Sequence, residues 1–127
     1  RCMSLTDNNS VMTAISNDFG YEQLFVKQLE VVFNEGDLLV AISASGNSPN
    51  LLRAVEFVKT KRGTTIGLVG FDGGKLKEMV DHVIHVPTDK GEYGPVEDIH
   101  LILDHIMGTY LMQLCSEEQE RNLKISN

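Results

Sequence analysis

The feature that most constrains the fold is a run of five apolar residues, Leu38–Ile42, that leads directly into a serine-rich turn. A continuous apolar run of this length is typical of a strand that is buried on both faces in a parallel sheet. Thr64–Val69 is a second such run, and the alternation in His82–Val86 predicts a third strand. A sheet of this kind requires helices on both of its faces.

Helices are predicted before, between and after these strands. Asn8 or Asn9 is suited to cap a first helix that Gly20 ends, and a second helix follows over Tyr21–Phe33. Three further helices are predicted from Pro49 to about Arg62, from Lys75 to Val80 and from about Val96 to Glu120.

The order of these elements predicts a doubly wound α/β fold, in which helices sandwich a parallel sheet. With 127 residues, 42% of them hydrophobic, the chain has material for one globular core, so a single domain is expected over residues 1–127. Three strands are few for this architecture, and the chain opens on Arg1. The sequence is therefore expected to be part of a longer protein, with further strands on the amino-terminal side.

Charge and hydropathy argue against several classes of function. Lys and Arg number 11 against 18 Asp and Glu, and the resulting net charge of −7 argues against nucleic acid as a partner. No apolar run approaches the roughly 20 residues that cross a bilayer, so no membrane span is expected. Cys2 and Cys115 lie near opposite ends of the chain without a redox or metal spacing, which favours a cytoplasmic location.

The turn Ser43–Ser48 is the strongest candidate site in the sequence. It lies where a predicted strand passes into a helix, so its hydroxyls and amides meet the positive end of the helix dipole. Three serines with Gly46 suit a phosphate group, and the lack of a lysine in the turn favours a phosphomonoester over a nucleoside triphosphate. The alternative is a turn without a ligand, in which the Ser48 hydroxyl caps the helix. Gly73 and Gly74 are interpreted as a tight turn.

A second group of polar residues lies at the start of the last predicted helix. Histidine and carboxylates at this density favour acid/base or metal chemistry, and a solvated charged face is the alternative. His100 and His105 are five residues apart, about 140° around a helix, so they cannot chelate one ion together. The group consists of Glu97, Asp98, His100, Asp104 and His105.

Five segments of the sequence follow one another as they do in a known family. They are Ser4–Asn8, Asn17–Tyr21, Ile42–Ser48, Gly70–Lys75 and Glu97–His105. Together they resemble the sugar isomerase (SIS) domain, and within it the phosphoheptose isomerase branch. The resemblance covers the chain from about Ser4 to Tyr110 and implies a three-layer, flavodoxin-like fold whose amino-terminal strand and helices are absent from this sequence.

The resemblance also implies an activity. Phosphoheptose isomerases are homotetrameric cytoplasmic enzymes that convert sedoheptulose 7-phosphate to D-glycero-D-manno-heptose 7-phosphate through an enediol, for the heptose of lipopolysaccharide or capsule, and many bind zinc. Two alternatives stay open: a non-catalytic SIS module that binds a phosphosugar or a protein partner, such as a replication initiator, and an isomerase of another phosphosugar.

Carried over by position, the resemblance assigns roles to individual residues. His105 would be the catalytic acid/base and a zinc ligand, and Glu97 a substrate contact and a second zinc ligand. Glu97 stands where the family usually has Gln, and Ala44 where Thr is common. The family's other metal ligand and its catalytic base precede Ser4, so only the His105 half of the acid/base pair is expected here, and this segment alone could be inactive. The remaining substrate-binding residues that the resemblance implies are Asn17, Asp18, Ser43, Ala44, Ser45 and Ser48.

Overall fold

The computed structural model describes the backbone of residues 2–125 and the side chains of residues 2–118. The described chain divides into two compact units, one ending at Val96 and the other beginning at Glu97. The expectation of a single domain over residues 1–127 stays a prediction. In chain order the elements are α1 (Asn9–Phe19), a 3₁₀ turn (Tyr21–Gln23), α2 (Leu24–Val32), β1 (Leu38–Ser43), α3 (Pro49–Thr60), β2 (Thr64–Val69), α4 (Gly74–Met79), β3 (His82–His85) and α5 (Tyr93–Ile125).

The strands of the first unit form one parallel sheet in the order β1-β2-β3. Leu38 of β1 lies opposite Thr64 of β2, and Ile66 of β2 lies opposite His82 of β3. Parallel neighbours need a crossover between them, and α3 and α4 provide the two crossovers. The predicted α/β class, with a parallel sheet flanked by helices, is confirmed.

One face of the sheet packs against α3 and α4. Ala41 of β1 and Val69 of β2 meet Val55 of α3 and Leu76 of α4 in a cluster that excludes almost all solvent. Helix α2 packs in turn against α3, where Leu29 contacts Val58. Burial of aliphatic side chains of this size contributes roughly 1.5–3 kcal/mol each, so these contacts hold β1 and β2 in place beneath the turns that follow them.

The opposite face of β1 is exposed. Leu38, Val40 and Ile42 keep 54%, 40% and 56% of their accessible surface. Side chains alternate between the two faces of a strand, and α3 and α4 contact the face that carries Ala41. The prediction that Leu38–Ile42 is buried on both faces is therefore wrong for the described part of the chain.

The helix ends follow from short-range chemistry. Asn8 Oδ1 accepts a hydrogen bond from the Val11 amide at 3.1 Å, and Gly20, with a φ of +89°, ends α1. Helix α5 begins at Tyr93 rather than near Val96, because Pro95 falls in the first turn, where the missing amide costs no helical hydrogen bond. Among the described residues, no helix is both long and apolar enough to cross a membrane.

Thr65 and Asp81 tie β2 to the start of β3. The amide and the hydroxyl of Thr65 donate to Asp81 Oδ2 at 2.8 and 2.7 Å, and the Asp81 amide donates to Thr65 Oγ1 at 3.0 Å. The two bonds from Thr65, with a weaker attraction from Lys59 Nζ at 3.5 Å, hold the pKa of the Asp81 carboxyl below its ordinary value. Charge on Asp81 therefore stabilises the fold.

Candidate functional site

The serine-rich turn joins the carboxyl end of β1 to the amino end of α3. Ser43 is buried, and its Oγ accepts from the Gly46 amide at 3.1 Å and lies 3.4 Å from the Ser48 Oγ. Ser48 occupies the N-cap position of α3, but its hydroxyl caps no amide. The predicted helix start at Pro49 is confirmed, whereas the predicted cap by the Ser48 hydroxyl is wrong, because that hydroxyl lies beside the Ser43 Oγ instead.

The turn presents several hydrogen-bond donors to a ligand. The hydroxyls of Ser43, Ser45 and Ser48 belong to it, and Ser45 and Ser48 are half-buried. No described acceptor pairs with the backbone amide of Ser45 or with that of Ser48. Donors concentrated at the start of a helix favour an anion with several oxygens.

The turn after β2 packs directly against the serine turn. The Gly73 amide donates to the Gly70 carbonyl at 2.8 Å, so the predicted tight turn is confirmed. Gly46 has a φ of +61°, and a Cβ there would overlap the Gly73 carbonyl oxygen. The Gly46 carbonyl accepts from the Leu76 amide at 2.9 Å. The two turns thus form one packed structure, a contact that the sequence analysis missed.

Asn47 joins the two turns through its side chain. Its Nδ2 donates to the Ser45 carbonyl at 2.8 Å, and its Oδ1 accepts from the Lys75 amide at 3.2 Å. The sequence analysis gives Asn47 no role of its own, because its partner in the second turn is 28 residues away. The only signal available was an amide side chain in a turn that is otherwise made of serine, alanine and glycine.

Asn17 and Asp18 lie in the last part of α1. Both side chains are exposed, and Asn17 Nδ2 donates to Asp18 Oδ1 at 3.0 Å. The assignment of Asn17 and Asp18 as sugar contacts stays a prediction. Within the described residues, no hydrogen bond connects them to the serine turn.

Glu97 and His105 lie on α5, in the second unit. Both side chains are exposed, and His105 sits on an open, shallow surface with Ile106 and Tyr110. His100 is buried, whereas Asp98 and Asp104 face solvent, so the dense polar group seen in the sequence does not form one cluster.

Residues 4–108 match the SIS domain. The chain belongs to the SIS domain family. Phosphoheptose isomerases from Burkholderia pseudomallei and Aneurinibacillus thermoaerophilus are each 41% identical to it over 105 residues, which cover 83% of this chain and 52% of each relative. This SIS domain thus spans about half the length of the curated relatives that it matches.

Two solved structures share the fold of this SIS domain. A phosphoheptose isomerase from Neisseria gonorrhoeae superposes with a TM-score of 0.78 at 37% identity, covering 83% of this chain and 58% of that one. A phosphoheptose isomerase from Francisella tularensis gives a TM-score of 0.76 at 34% identity, covering 82% and 55%. The resemblance to this branch, predicted from five short segments, is confirmed.

The residues that the structure describes do not by themselves make a complete zinc site. Helix α5 is continuous from Tyr93, so Glu97 and His105 are separated by about 12 Å along its axis and about 80° around it. Zinc bonds to nitrogen and oxygen are about 2 Å long, so the two side chains cannot share one ion. Among the described residues, no group of three or more His, Cys, Asp or Glu side chains is placed to hold a metal.

Proposed function

We propose that the protein is a phosphosugar isomerase that interconverts sedoheptulose 7-phosphate and D-glycero-D-manno-heptose 7-phosphate. The observation that carries this proposal is the serine turn, which joins β1 to α3 and packs against the turn between β2 and α4. The chain that contains it is 41% identical to phosphoheptose isomerases over 105 residues. Because the chain spans about half of those relatives, the reaction is proposed for the whole protein. The part described here supplies its phosphate-binding turn.

The serine turn is proposed to hold the sugar phosphate. Ser43 and Ser48 converge, with their Oγ atoms 3.4 Å apart, so both hydroxyls would reach neighbouring oxygens of one phosphate. Ser45 and Ser48 would add their backbone amides at the positive end of α3. Ala44 has no side-chain donor, so its contact with the phosphate would be through the backbone.

The chemical step moves hydrogen between adjacent carbons. A base removes a proton from the carbon beside the carbonyl, the enediol forms, and a proton returns to the neighbouring carbon while the hydroxyl and carbonyl oxygens exchange a proton. No net oxidation occurs. We assign His105 one of these transfers, since imidazole both accepts and donates protons near neutral pH.

Asn17 and Asp18 are proposed to bind sugar hydroxyls, for which a paired amide and carboxylate offer donors and acceptors.

We propose that zinc binds at a site to which Glu97 or His105 contributes one ligand and that further residues complete. Glu97 and His105 would each supply one ligand, because their separation along α5 prevents them from binding the same ion within this chain. No chemical step is assigned to the metal.

A homotetramer assembled through α5 is proposed as well. The apolar residues Ile99, Leu103, Ile106 and Tyr110 recur at alternating four- and three-residue spacing, the pattern of a helix that packs on other helices. Several of the large apolar side chains of α5 are more than half exposed, and such surface is covered in stable proteins. Those above 50% among the described side chains are Tyr93, Leu101, Ile102, Ile106, Tyr110, Leu111 and Met112.

A cytoplasmic location is proposed for the enzyme. Cys2 and Cys115 are both free and exposed. Two cysteines near opposite ends of the sequence do not have the density of a secreted disulfide scaffold, and this favours the cytoplasm.

Turnover of sedoheptulose 7-phosphate by the whole protein, followed by NMR, tests the proposed function. We expect the signals of the aldoheptose 7-phosphate to appear, and a chelator arm with zinc added back tests the shared metal site. No turnover, with a rise in Tm on adding the phosphosugar, would replace the isomerase with a non-catalytic phosphosugar-binding module. Turnover of an arabinose or hexulose phosphate in its place would change the substrate.

A further inference from the structure

Asn47 occupies a distinctive place between the two turns of the candidate site. Its Nδ2 donates to the Ser45 carbonyl at 2.8 Å, on the serine side, and its Oδ1 accepts from the Lys75 amide at 3.2 Å, on the side of α4. The backbone amide of Asn47 also donates to Ser45 Oγ at 3.3 Å. One residue therefore fixes both the carbonyl and the hydroxyl of Ser45.

The second turn is shaped to accept the Asn47 side chain. Gly74 adopts a φ of +52°, and a Cβ there would lie 2.5 Å from Asn47 Nδ2 and would also overlap the Ser45 carbonyl oxygen. A non-glycine residue would thus push both groups away. The glycine at position 74 thus leaves space for the Asn47 side chain to reach both the Ser45 carbonyl and the Lys75 amide.

We propose that Asn47 is a positioning residue for phosphate binding. In this proposal its effect passes through Ser45, whose carbonyl accepts from Asn47 Nδ2 and whose Oγ accepts from the Asn47 amide. By clamping the serine turn onto the turn after β2, Asn47 orders the Ser45 hydroxyl and amide before the substrate arrives. Pre-ordered donors bind more tightly because less conformational freedom is lost on binding. This inference rests on the proposed function, since it takes the serine turn as the phosphate site.

The fold does not depend on this clamp. The hydrogen bond from the Leu76 amide to the Gly46 carbonyl, at 2.9 Å, connects the same two turns through the backbone alone. An Asn47→Ala variant would keep that bond and the core beneath it. We therefore expect its Tm to stay close to that of the wild type, which separates positioning from a purely structural role.

Phosphate affinity and steady-state kinetics of the full chain test the proposal. We expect Asn47→Ala to raise the Kd for inorganic phosphate and the KM for the sugar phosphate about three- to tenfold, the effect of losing one or two modest hydrogen bonds. The kcat should change less than about twofold, because the reacting carbons are not touched. Asn9→Ala is the matched control, as this exposed asparagine makes no side-chain hydrogen bond to any described residue.

Amide hydrogen exchange of Lys75 reports on the clamp itself. Asn47→Ala should speed that exchange, whereas Asn47→Asp keeps the acceptor for the Lys75 amide and should leave the exchange slow while still weakening phosphate binding.

Unchanged Kd and KM in Asn47→Ala, with a wild type that binds phosphate, would overturn the positioning role alone. A fall in kcat at constant KM would overturn it too, by placing Asn47 at the reacting atoms. A wild type that binds no phosphate would instead refute the proposed function.

Discussion

Gly46 is the residue on which the packing of the two turns depends most directly. Its φ of +61° disfavours a side chain, and a Cβ would overlap the Gly73 carbonyl oxygen and lie 2.6 Å from the Gly73 carbonyl carbon. The left-handed conformation costs a non-glycine residue about 1–2 kcal/mol. Displacing backbone from a packed contact adds about 1–3 kcal/mol. We therefore expect Gly46→Ala to lower the free energy of unfolding by roughly 2–5 kcal/mol.

Gly36 offers a matched control for this substitution. It also has a positive φ, of +87°, but no atom lies within 4 Å of the place that its Cβ would take. Gly36→Ala should therefore show only the conformational part, about 1–2 kcal/mol. Urea denaturation of both variants measures the difference, and calorimetry with inorganic phosphate measures the accompanying loss of affinity in Gly46→Ala. Equal destabilisation by the two substitutions would refute the close packing of the serine turn on the Gly70–Lys75 turn.

Three further variants test the site and the fold. Replacing both Ser43 and Ser45 with Ala should weaken phosphosugar binding at least about tenfold, as expected when two donors to a charged group are lost, and should lower the free energy of unfolding by about 0.5–1.5 kcal/mol, because the Gly46 amide loses the buried Ser43 hydroxyl as an acceptor; titration calorimetry and thermal melts check both. His105→Ala should lower kcat by about 10²–10⁴-fold with an unchanged circular dichroism spectrum; wild-type turnover would return His105 to the solvated face of α5. The folded-state pKa of Asp81 is lowered, so its contribution to stability is present above the unfolded pKa, about 4, and is lost as pH falls through the folded value. Asp81→Asn should therefore lower Tm at pH 7 and flatten its decline below about pH 4; parallel acid limbs would contradict this.

Local sequence chemistry predicts most of the secondary structure. Thr64–Val69 is a strand with the predicted bounds, and Asn8 caps α1, because both depend on residues within one turn or one strand. The start of α5 was placed three residues too late, since Gly94 and Pro95 are typical of loops. Proline is tolerated in the first turn of a helix, so Gly94-Pro95 fits a loop and a helix start equally well.

The exposure of β1 and the side-chain partner of Ser48 depend on contacts that the sequence does not specify. A fully apolar run such as Leu38–Ile42 fits a strand that is covered on either face, and only the position of α3 and α4 decides which face is buried here. The sequence likewise gives no sign that the Ser43 hydroxyl will compete with the amides of α3 for the hydroxyl of Ser48. Ser43 does so because the strand ends with its side chain beneath the turn.

Some features of the candidate site likewise follow from residues that are neighbours in the sequence, and others follow from contacts between distant residues. The serine turn could be predicted, because the donors, the glycine and the helix start all lie within a few residues. The contribution of the second turn could not, because it depends on the parallel pairing of β1 and β2, in which Ser43 lies opposite Val69. That pairing brings the carboxyl ends of the two strands to one edge of the sheet, the edge where open α/β sheets bind their ligands. The turn after β2 must then pass beside the proposed phosphate site, and glycine at positions 46 and 74 gives the two backbones room to approach. A substitution in the Gly70–Lys75 turn should therefore weaken phosphate binding although none of its residues needs to touch the substrate.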